Sequence, residues 1–486
     1  MSTGALAKPF QPLAVVVKRL TAVLVVGALV VIAVSVLVRD RRLPDRHAAA
    51  DAESPLPAVV TFSEHIAPII HRECMPCHRP GQAGSFSLIS YQDVASRGTL
   101  VAAMTGSKRM PPWPADPDYT SFRDERVLTE REIRLFGAWL AGGLEIGDST
   151  AIPRPLPVAD SSFLGTPDMV VRMPASYEVK GDNTDRFLIV KVPFELPQDT
   201  VARAIEFVPG NRSVVHHMNG HLISYPPGAK EDVFSGAFYV EDPSHNSDQL
   251  TTLDILNDDG SYPPIRLSVA NYLPGALPTV YPSGIGGIRL SKKGAFLINE
   301  MHYGPTAVPA SDQSYFNIFY GSGEPERPVY QLLLGTAGIS DIVPPFRIPP
   351  DSVKSFHTQY TVEATVSILT VNPHMHLLGR SMTAFALTPT QDTIPLIRIP
   401  RWDFRWQYFY TFRRPVILPA GSTIHVDAVY DNTSTNPLNP FTPPQAISDQ
   451  NRSMQTTDEM LQFIVSYLAY QPGDENIRLD EVSLWR

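Results

Sequence analysis

Forty-seven prolines spread through 486 residues, against 30 glycines, set the first limit on what this chain can fold into. A proline inside a helix removes a backbone hydrogen bond and clashes with the preceding turn, so long helices are disfavoured over most of the length. Edge strands, turns and extended segments tolerate it. Hydrophobic residues make up 43% and charged residues 18%, a balance that folds rather than staying disordered. The length exceeds one ordinary core and points to two to four domains. A net charge of −9 leaves no basic stripe to meet phosphates, so no nucleic acid is expected as a partner.

The N-terminus departs from that texture. Residues 20–38 form an uncharged apolar run, preceded by Lys18 and Arg19 and followed by Arg39, Asp40, Arg41 and Arg42. A helix of that length spans roughly 28 Å, close to the hydrocarbon thickness of a bilayer. A cleaved signal peptide is the competing reading, although its apolar core is usually shorter and the small-residue stretch Ala48-Ala49-Ala50 lies beyond a charged linker. We expect residues 1–57 to be a transmembrane anchor and linker. Positive charge on both flanks leaves orientation undecided by charge alone.

The strongest short motif follows. Cys74-Met75-Pro76-Cys77-His78 is C-x-x-C-H, the pattern of c-type haem attachment. Two thiols one helical turn apart can each add to a haem vinyl group, and the adjacent imidazole reaches the iron. These are the chain's only cysteines, which excludes a Cys₄ zinc site and any disulfide besides their own. Such haems are attached outside the cytoplasm, so the body is expected on the periplasmic side of a bacterial inner membrane, held by a single span. The surroundings fit a small all-α domain over residues 58–150. Ser63 can cap a helix carrying Ile66, Ala67, Ile69 and Ile70. Thr129 and Glu132 form a capping box before Ile133, Phe136 and Leu140, with Trp139 alongside and Gly142-Gly143 as the stop. This stretch resembles a small cytochrome c. The opposite axial ligand would be a thioether, either Met110, in a proline-stiffened loop 32 residues after His78, or Met104.

From about residue 158 short β-branched and aromatic runs alternate with Pro, Gly, Asn and Asp clusters, which suggests antiparallel sandwiches or jelly rolls. Two such all-β domains fit the remaining length, at 158–325 and 326–486, divided near the unstructured joint 322–328. Within them the histidines cluster. His216-His217 precedes Met218, His302 ends a strand-like run, and His374-Met375-His376 follows another. Residues i and i+2 of a strand share a face, so His374 and His376 can reach one metal. Adjacent His216 and His217 point to opposite faces unless a bulge, a strand end or a different choice of ring nitrogen brings them together.

Taken together, His216-His217-Met218, Met301-His302-Tyr303-Gly304, His374-Met375-His376-Leu377-Leu378-Gly379-Arg380 and Thr457-Asp458-Glu459-Met460 resemble the copper type II, ascorbate-dependent monooxygenases, the family of peptidylglycine α-hydroxylating and dopamine β-monooxygenases. The pieces stand in the family's order over residues 160–486. The resemblance implies two β-sandwiches with one copper on each. The electron-transfer copper would be held by His216, His217 and His302, and the oxygen-binding copper by His374, His376 and Met460. A thioether favours Cu(I), the state that meets O₂. The implied reaction hydroxylates a C–H bond of a small-molecule or peptide-like substrate with O₂. Its two electrons come from an ascorbate-like external reductant or redox partner, or through the fused haem.

The chain also departs from the family. The family's disulfides are absent, and its substrate-clamping arginine two positions before the first histidine of H-x-H is replaced by Asn372. An amide cannot supply the guanidinium's charge and bidentate fork, so a glycine-extended peptide is not expected as substrate. Arg380 reads as a surface residue. Glu300 shares strand parity with His302 and is a candidate to orient it. His221 reads as a turn residue. The aromatic run 401–408 is expected to pack between sheets, with a place at the substrate mouth as the alternative. His65, His71, His245, His357 and His425 belong to no constellation. A non-catalytic haem and copper electron carrier or copper-binding protein is the second reading, because a ligand set does not by itself prove activity.

Overall fold

The structure, a computed structural model, describes residues 54–154, 162–241, 247–321, 327–448 and 457–481. The apolar run 20–38, His245 and the joint 322–326 lie outside the described residues. Among the described residues no helix is long and apolar enough to cross a membrane. Contacts divide the chain into Met1–Pro57 with Thr129–Glu132, and Ala58–Leu128 with Ile133–Arg486. In the first unit the capping box forms as expected: the Thr129 amide donates to Glu132 Oε2 at 2.8 Å and the Glu132 amide to Thr129 Oγ1 at 3.2 Å. Apart from the first residues of helix Glu130–Ala141, everything below concerns the second unit.

That unit is mostly β-sheet. Strands Tyr239–Val240, Arg186–Glu195, Lys293–Tyr303, Val215–Tyr225 and Ile265–Tyr272 form one antiparallel sheet in that spatial order. Met169–Arg172, Tyr315–Tyr320, Thr200–Val208 and Ile288–Leu290 form a second. Leu188, Val190, Val192, Met218, Phe296 and Ile298 of the first meet Val171, Ile205, Phe207, Phe316 and Ile318 of the second in one core. The interior strand Arg186–Glu195 is buried on both faces, because Val233, Leu253 and Ile255 cover its outer side against Ile189, Ile223 and Leu297. The loss of alternation in its sequence has that cause.

A second pair of sheets repeats the plan. Tyr330–Gly335, Gln462–Ala469, Val366–His374 and Tyr410–Leu418 form a four-stranded sheet; Ile342–Val343, Ser352–Thr361, Thr423–Asn432, Gly379–Leu387 and Thr393–Ile399 form a five-stranded one. Ile368, Val371, Phe463 and Val465 pack against Phe356, Ala384, Ile397, Val426 and Tyr430 between them. The β-rich body expected from the sequence is therefore present.

The segment 58–151 is helical only in part. A helical run covers Phe62–Ile66, Ala67–Ile69 and Ile70–Cys74, partly π-wound, and Gly98–Gly106 and Glu130–Ala141 are α-helices. Ser63 does not cap the first of these. Thr61 precedes the helix without a side-chain cap, and Ser63 lies inside it, buried and without a hydrogen-bond partner for its hydroxyl. His65 takes the local role instead, its Nδ1 accepting from the Thr61 amide at 3.1 Å. The Gly142-Gly143 stop forms as expected, with Gly143 at φ +87°. Residues 111–126 leave the helices altogether. Phe122 bridges to Phe412, the Arg123 amide donates to the Thr411 carbonyl at 2.7 Å, and Ala115 and Phe122 enter the core of the C-terminal sheet pair.

Candidate metal centre

His216, His217 and His302 converge on neighbouring strands. His217 pairs directly with His302, while Val215 pairs with Tyr303, so His216 is the extra residue of a bulge. That bulge lets consecutive histidines serve one point, the condition the sequence demanded. The Nδ1 of His217 stands 3.1 Å from that of His216 and 3.3 Å from that of His302. The outer nitrogens of two of these rings are engaged: His217 Nε2 meets Glu300 Oε1 at 3.2 Å and His302 Nε2 meets Asp185 Oδ1 at 2.6 Å. Ionised carboxylates only accept, so each Nε2 carries the proton and each Nδ1 presents a lone pair. The lone pairs on His217 and His302 face each other, and a cation between them would satisfy both. Imidazole binds zinc at about 2.0 Å, which places neighbouring donors of a three- or four-coordinate ion about 3.3–3.5 Å apart. The cluster fits a metal of that kind.

Glu300 therefore orients His217 rather than His302, to which the sequence had assigned it. Asp185, at the start of strand Arg186–Glu195, holds His302, and Phe187 stacks on the His302 ring at 4.3 Å. Burial raises the Glu300 carboxyl, but His217 and the nearby His374 and His376 outweigh it and hold it at about 2.

The second cluster lies where strand Val366–His374 ends. His374 Nε2 and His376 Nε2 approach to 3.2 Å with perpendicular rings, while Met375 between them turns into the core. The other nitrogen of each ring is again committed. His376 Nδ1 donates to the Asp458 carbonyl at 2.8 Å. His374 Nδ1 is bonded to Gln407 Oε1, whose amide is oriented by its own Nε2 donating to the Phe404 carbonyl at 2.9 Å. Both Nε2 atoms thus offer lone pairs to one point, the same test passed twice.

The segment bearing Met460 is tied to this pair from below. Glu459 Oε2 accepts from the His376 amide at 2.9 Å and Oε1 from the Leu378 amide at 2.5 Å, and the Tyr430 hydroxyl donates to the Met460 carbonyl at 2.6 Å. Burial pushes the Glu459 carboxyl up to about 8 against those amides. Met460 is itself buried, one residue beyond the carboxylate that holds the His376 backbone.

The run 401–408 does more than fill space between sheets. Trp402 and Tyr408 do join the core, but the Trp402 indole donates to the His376 carbonyl at 3.1 Å, and Gln407 reaches His374. Phe404 sets its ring edge-on against both His217, at 5.8 Å, and His376, at 5.7 Å, bridging the clusters. Asn372 is buried and donates to the Tyr408 carbonyl at 2.9 Å, a scaffold role in place of a substrate clamp. Arg380 is exposed, as expected. His221 is not in a turn: it lies within strand Val215–Tyr225 and accepts from the Ser268 amide at 3.0 Å.

The C-x-x-C-H segment keeps helical geometry. The Cys74 carbonyl accepts from the Cys77 amide at 3.2 Å and the His78 amide at 2.9 Å. His78 Nδ1 meets the Phe86 carbonyl at 3.1 Å, so its proton sits there and Nε2 presents a lone pair. A Cβ on Gly84 would lie 2.7 Å from that Nδ1, so only glycine fits beside the ring. The donor set suits a c-type haem. Met110 and Met104 both stand at the end of helix Gly98–Gly106, where the Met110 amide donates to the Met104 carbonyl at 3.3 Å.

These pieces meet around one cavity of about 130 Å³. His217, Glu300 and His374 line it from the two clusters, and Trp113 and Arg126 from the N-terminal segment. Gly275, also in its wall, sits so close to Cys77 that a Cβ there would come within 2.8 Å of the sulfur.

No family model and no curated protein matches the chain. Among solved structures it aligns with that of infectious bursal disease virus Gt strain at 10% identity, over 66% of this chain and 80% of that one, with a TM-score of 0.15. The Gx strain structure gives 11% identity, the same coverages and a TM-score of 0.14. Scores of that size carry no argument about fold or function.

Proposed function

We propose that the chain is a copper-dependent monooxygenase that hydroxylates a C–H bond of a small organic substrate with O₂. Cys74 and Cys77 would attach a c-type haem, His78 and Met110 would ligate it, and it would supply the electrons, in a membrane-anchored, periplasmic protein. The observation that carries this reading is the pair of clusters on either side of one cavity, with two rings in each whose proton is held on the far nitrogen. His216, His217 and His302 would hold one copper; His374, His376 and Met460 would hold the other. Copper supplies one-electron redox chemistry at both positions and an affinity for O₂ at the second.

The chain's own residues do the rest. Asp185 and Glu300 keep the protons on the Nε2 atoms of His302 and His217, and Gln407 and the Asp458 carbonyl keep those on the Nδ1 atoms of His374 and His376. The four rings need not release a proton to bind metal. Phe404 and Trp402 exclude water from the space beside His376. The contact of Gly275 with Cys77 sets the haem attachment point against the wall of the shared cavity, which supports delivery of electrons within one polypeptide.

A second reading, a non-catalytic electron carrier, is favoured by one observation. About 130 Å³ is well below the roughly 300–1,000 Å³ of ordinary ligand pockets, and Phe404 occupies the gap between the clusters. Metal and haem analysis of the soluble fragment, matured with haem and supplied with copper, is the test. Two coppers and one haem per chain, with O₂ uptake matched by hydroxylated product, support the enzyme. The same content without coupled product leaves the carrier, and haem without copper removes both copper readings.

A further inference from the structure

Three histidine groupings are present among the described residues, and two of them belong to the centre described above. The third lies on the outward face of the five-stranded sheet of the C-terminal pair. There His357 pairs with Asp427 and Gln359 with His425 on adjacent strands Ser352–Thr361 and Thr423–Asn432. Alternate residues Phe356, Thr358, Val426 and Ala428 point into the core, so these four side chains share the solvent side.

Their geometry repeats the test applied at the centre. Asp427 Oδ1 lies 2.8 Å from His357 Nδ1 and accepts its N–H, so in the neutral ring Nε2 keeps the lone pair. That Nε2 stands 3.4 Å from His425 Nδ1 and 3.4 Å from Gln359 Oε1. Ligands at about 2.0–2.1 Å from a tetrahedral ion are about 3.3–3.4 Å apart. Phe385 stacks on the His425 ring at 5.1 Å and 15°, which fixes its plane. The carboxylate behind His357 completes the carboxylate–histidine–metal arrangement that orients a ligand and raises its basicity.

We propose that His357, His425 and Gln359 form a third metal site, open to solvent at its fourth position, for a divalent transition-metal ion of the zinc type. Asp427 acts on it as a positioning residue. The site shares no ligand with the central clusters and stands whether or not the monooxygenase reading does. Its amide oxygen and open position distinguish it from a buried structural zinc site, which closes all four positions on the protein.

The test is a calorimetric zinc titration of the full chain as purified, read as the difference between wild type and variants. His357→Ala and His425→Ala should each bind one equivalent fewer than wild type. Asp427→Asn should keep the equivalent at 10- to 100-fold lower affinity. Cobalt(II) at the same site should give the visible absorption of a tetrahedral ion, absent from His357→Ala. Gln359→Ala, at an exposed position, guards against a fold defect in the histidine variants and should also weaken binding. Equal stoichiometry and affinity in wild type and both histidine variants would overturn the proposal, leaving two hydrogen-bonded surface histidines.

Discussion

Asp185 meets His302 at 2.6 Å across 117 residues of chain, at the entry to the strand paired with the one that His302 closes. The contact sets which nitrogen of His302 faces its neighbours. Asp185→Asn keeps the shape and removes the obligatory acceptor. Metal affinity at the three-histidine cluster should fall 10- to 100-fold while that at His374 and His376 is unchanged. Competition with a chelator of known affinity measures both.

Acid should weaken the metal-free protein through its buried imidazoles. Burial, with the neighbouring imidazoles adding to it, lowers His216 to about 3 and His374 to about 4. Unfolded histidine titrates near 6.5. Stability contributed by these neutral rings is therefore full above about pH 6.5 and is lost as pH falls towards 4, since the unfolded chain then takes up protons the folded chain refuses. Each ring gives a slope of up to about 1.4 kcal/mol per pH unit in that window. Denaturant midpoints from pH 7.5 to 4.5 measure it, and a flat profile would contradict two neutral buried rings.

A second acid transition belongs to Asp474. Arg327 grips its carboxylate with two nitrogens at 2.6 and 2.8 Å, and Ser367 donates to it at 2.6 Å. Burial raises the carboxyl, but these donors and the Gln471 amide outweigh it and hold it at about 2. The stabilisation is present above about pH 4 and disappears as pH drops towards 2. Asp474→Asn, leaving Arg327 without its partner charge, should cost about 3 kcal/mol at neutral pH. Urea unfolding checks the loss and its disappearance in acid.

Phe404→Ala opens the space between the clusters. The ring is buried, so truncation should cost about 3 kcal/mol in unfolding experiments. Metal content should be unchanged, because Phe404 donates no ligand. If the centre is catalytic, bulkier substrates should gain relative to small ones, which a substrate series in the variant would reveal.

Several of these relationships were legible in sequence and several were not. The shared face of His374 and His376 follows from strand parity, and the need for a bulge at His216-His217 follows from the same rule read in reverse. The two sheet pairs follow from short β-branched runs broken by turn residues. Asp185, Gln407 and the Asp458 carbonyl could not be read, because their roles depend on long-range register and on a loop with no periodicity. Glu300 escapes the same rule for a related reason: parity places it on a face with His302, whereas strand register pairs it with Asn219, two residues from His217, and so decides which ring it meets. Residues 111–126 fall in sequence within a helical domain, and proline-rich segments carry no pattern that reveals which core receives them. His357 and His425 stand 68 positions apart, and only strand pairing brings them together.

The bulge at His216 also makes the centre depend on a count of residues. Substituting a ligand removes one donor and leaves the others aimed. Deleting one residue between Asn211 and His216 would let the strand resume regular pairing and turn one of the two histidines to the opposite face. Loops elsewhere in these sheets can lengthen or shorten at little cost. Along this short stretch, insertions and deletions should be far less tolerated in descent than replacements of side chains.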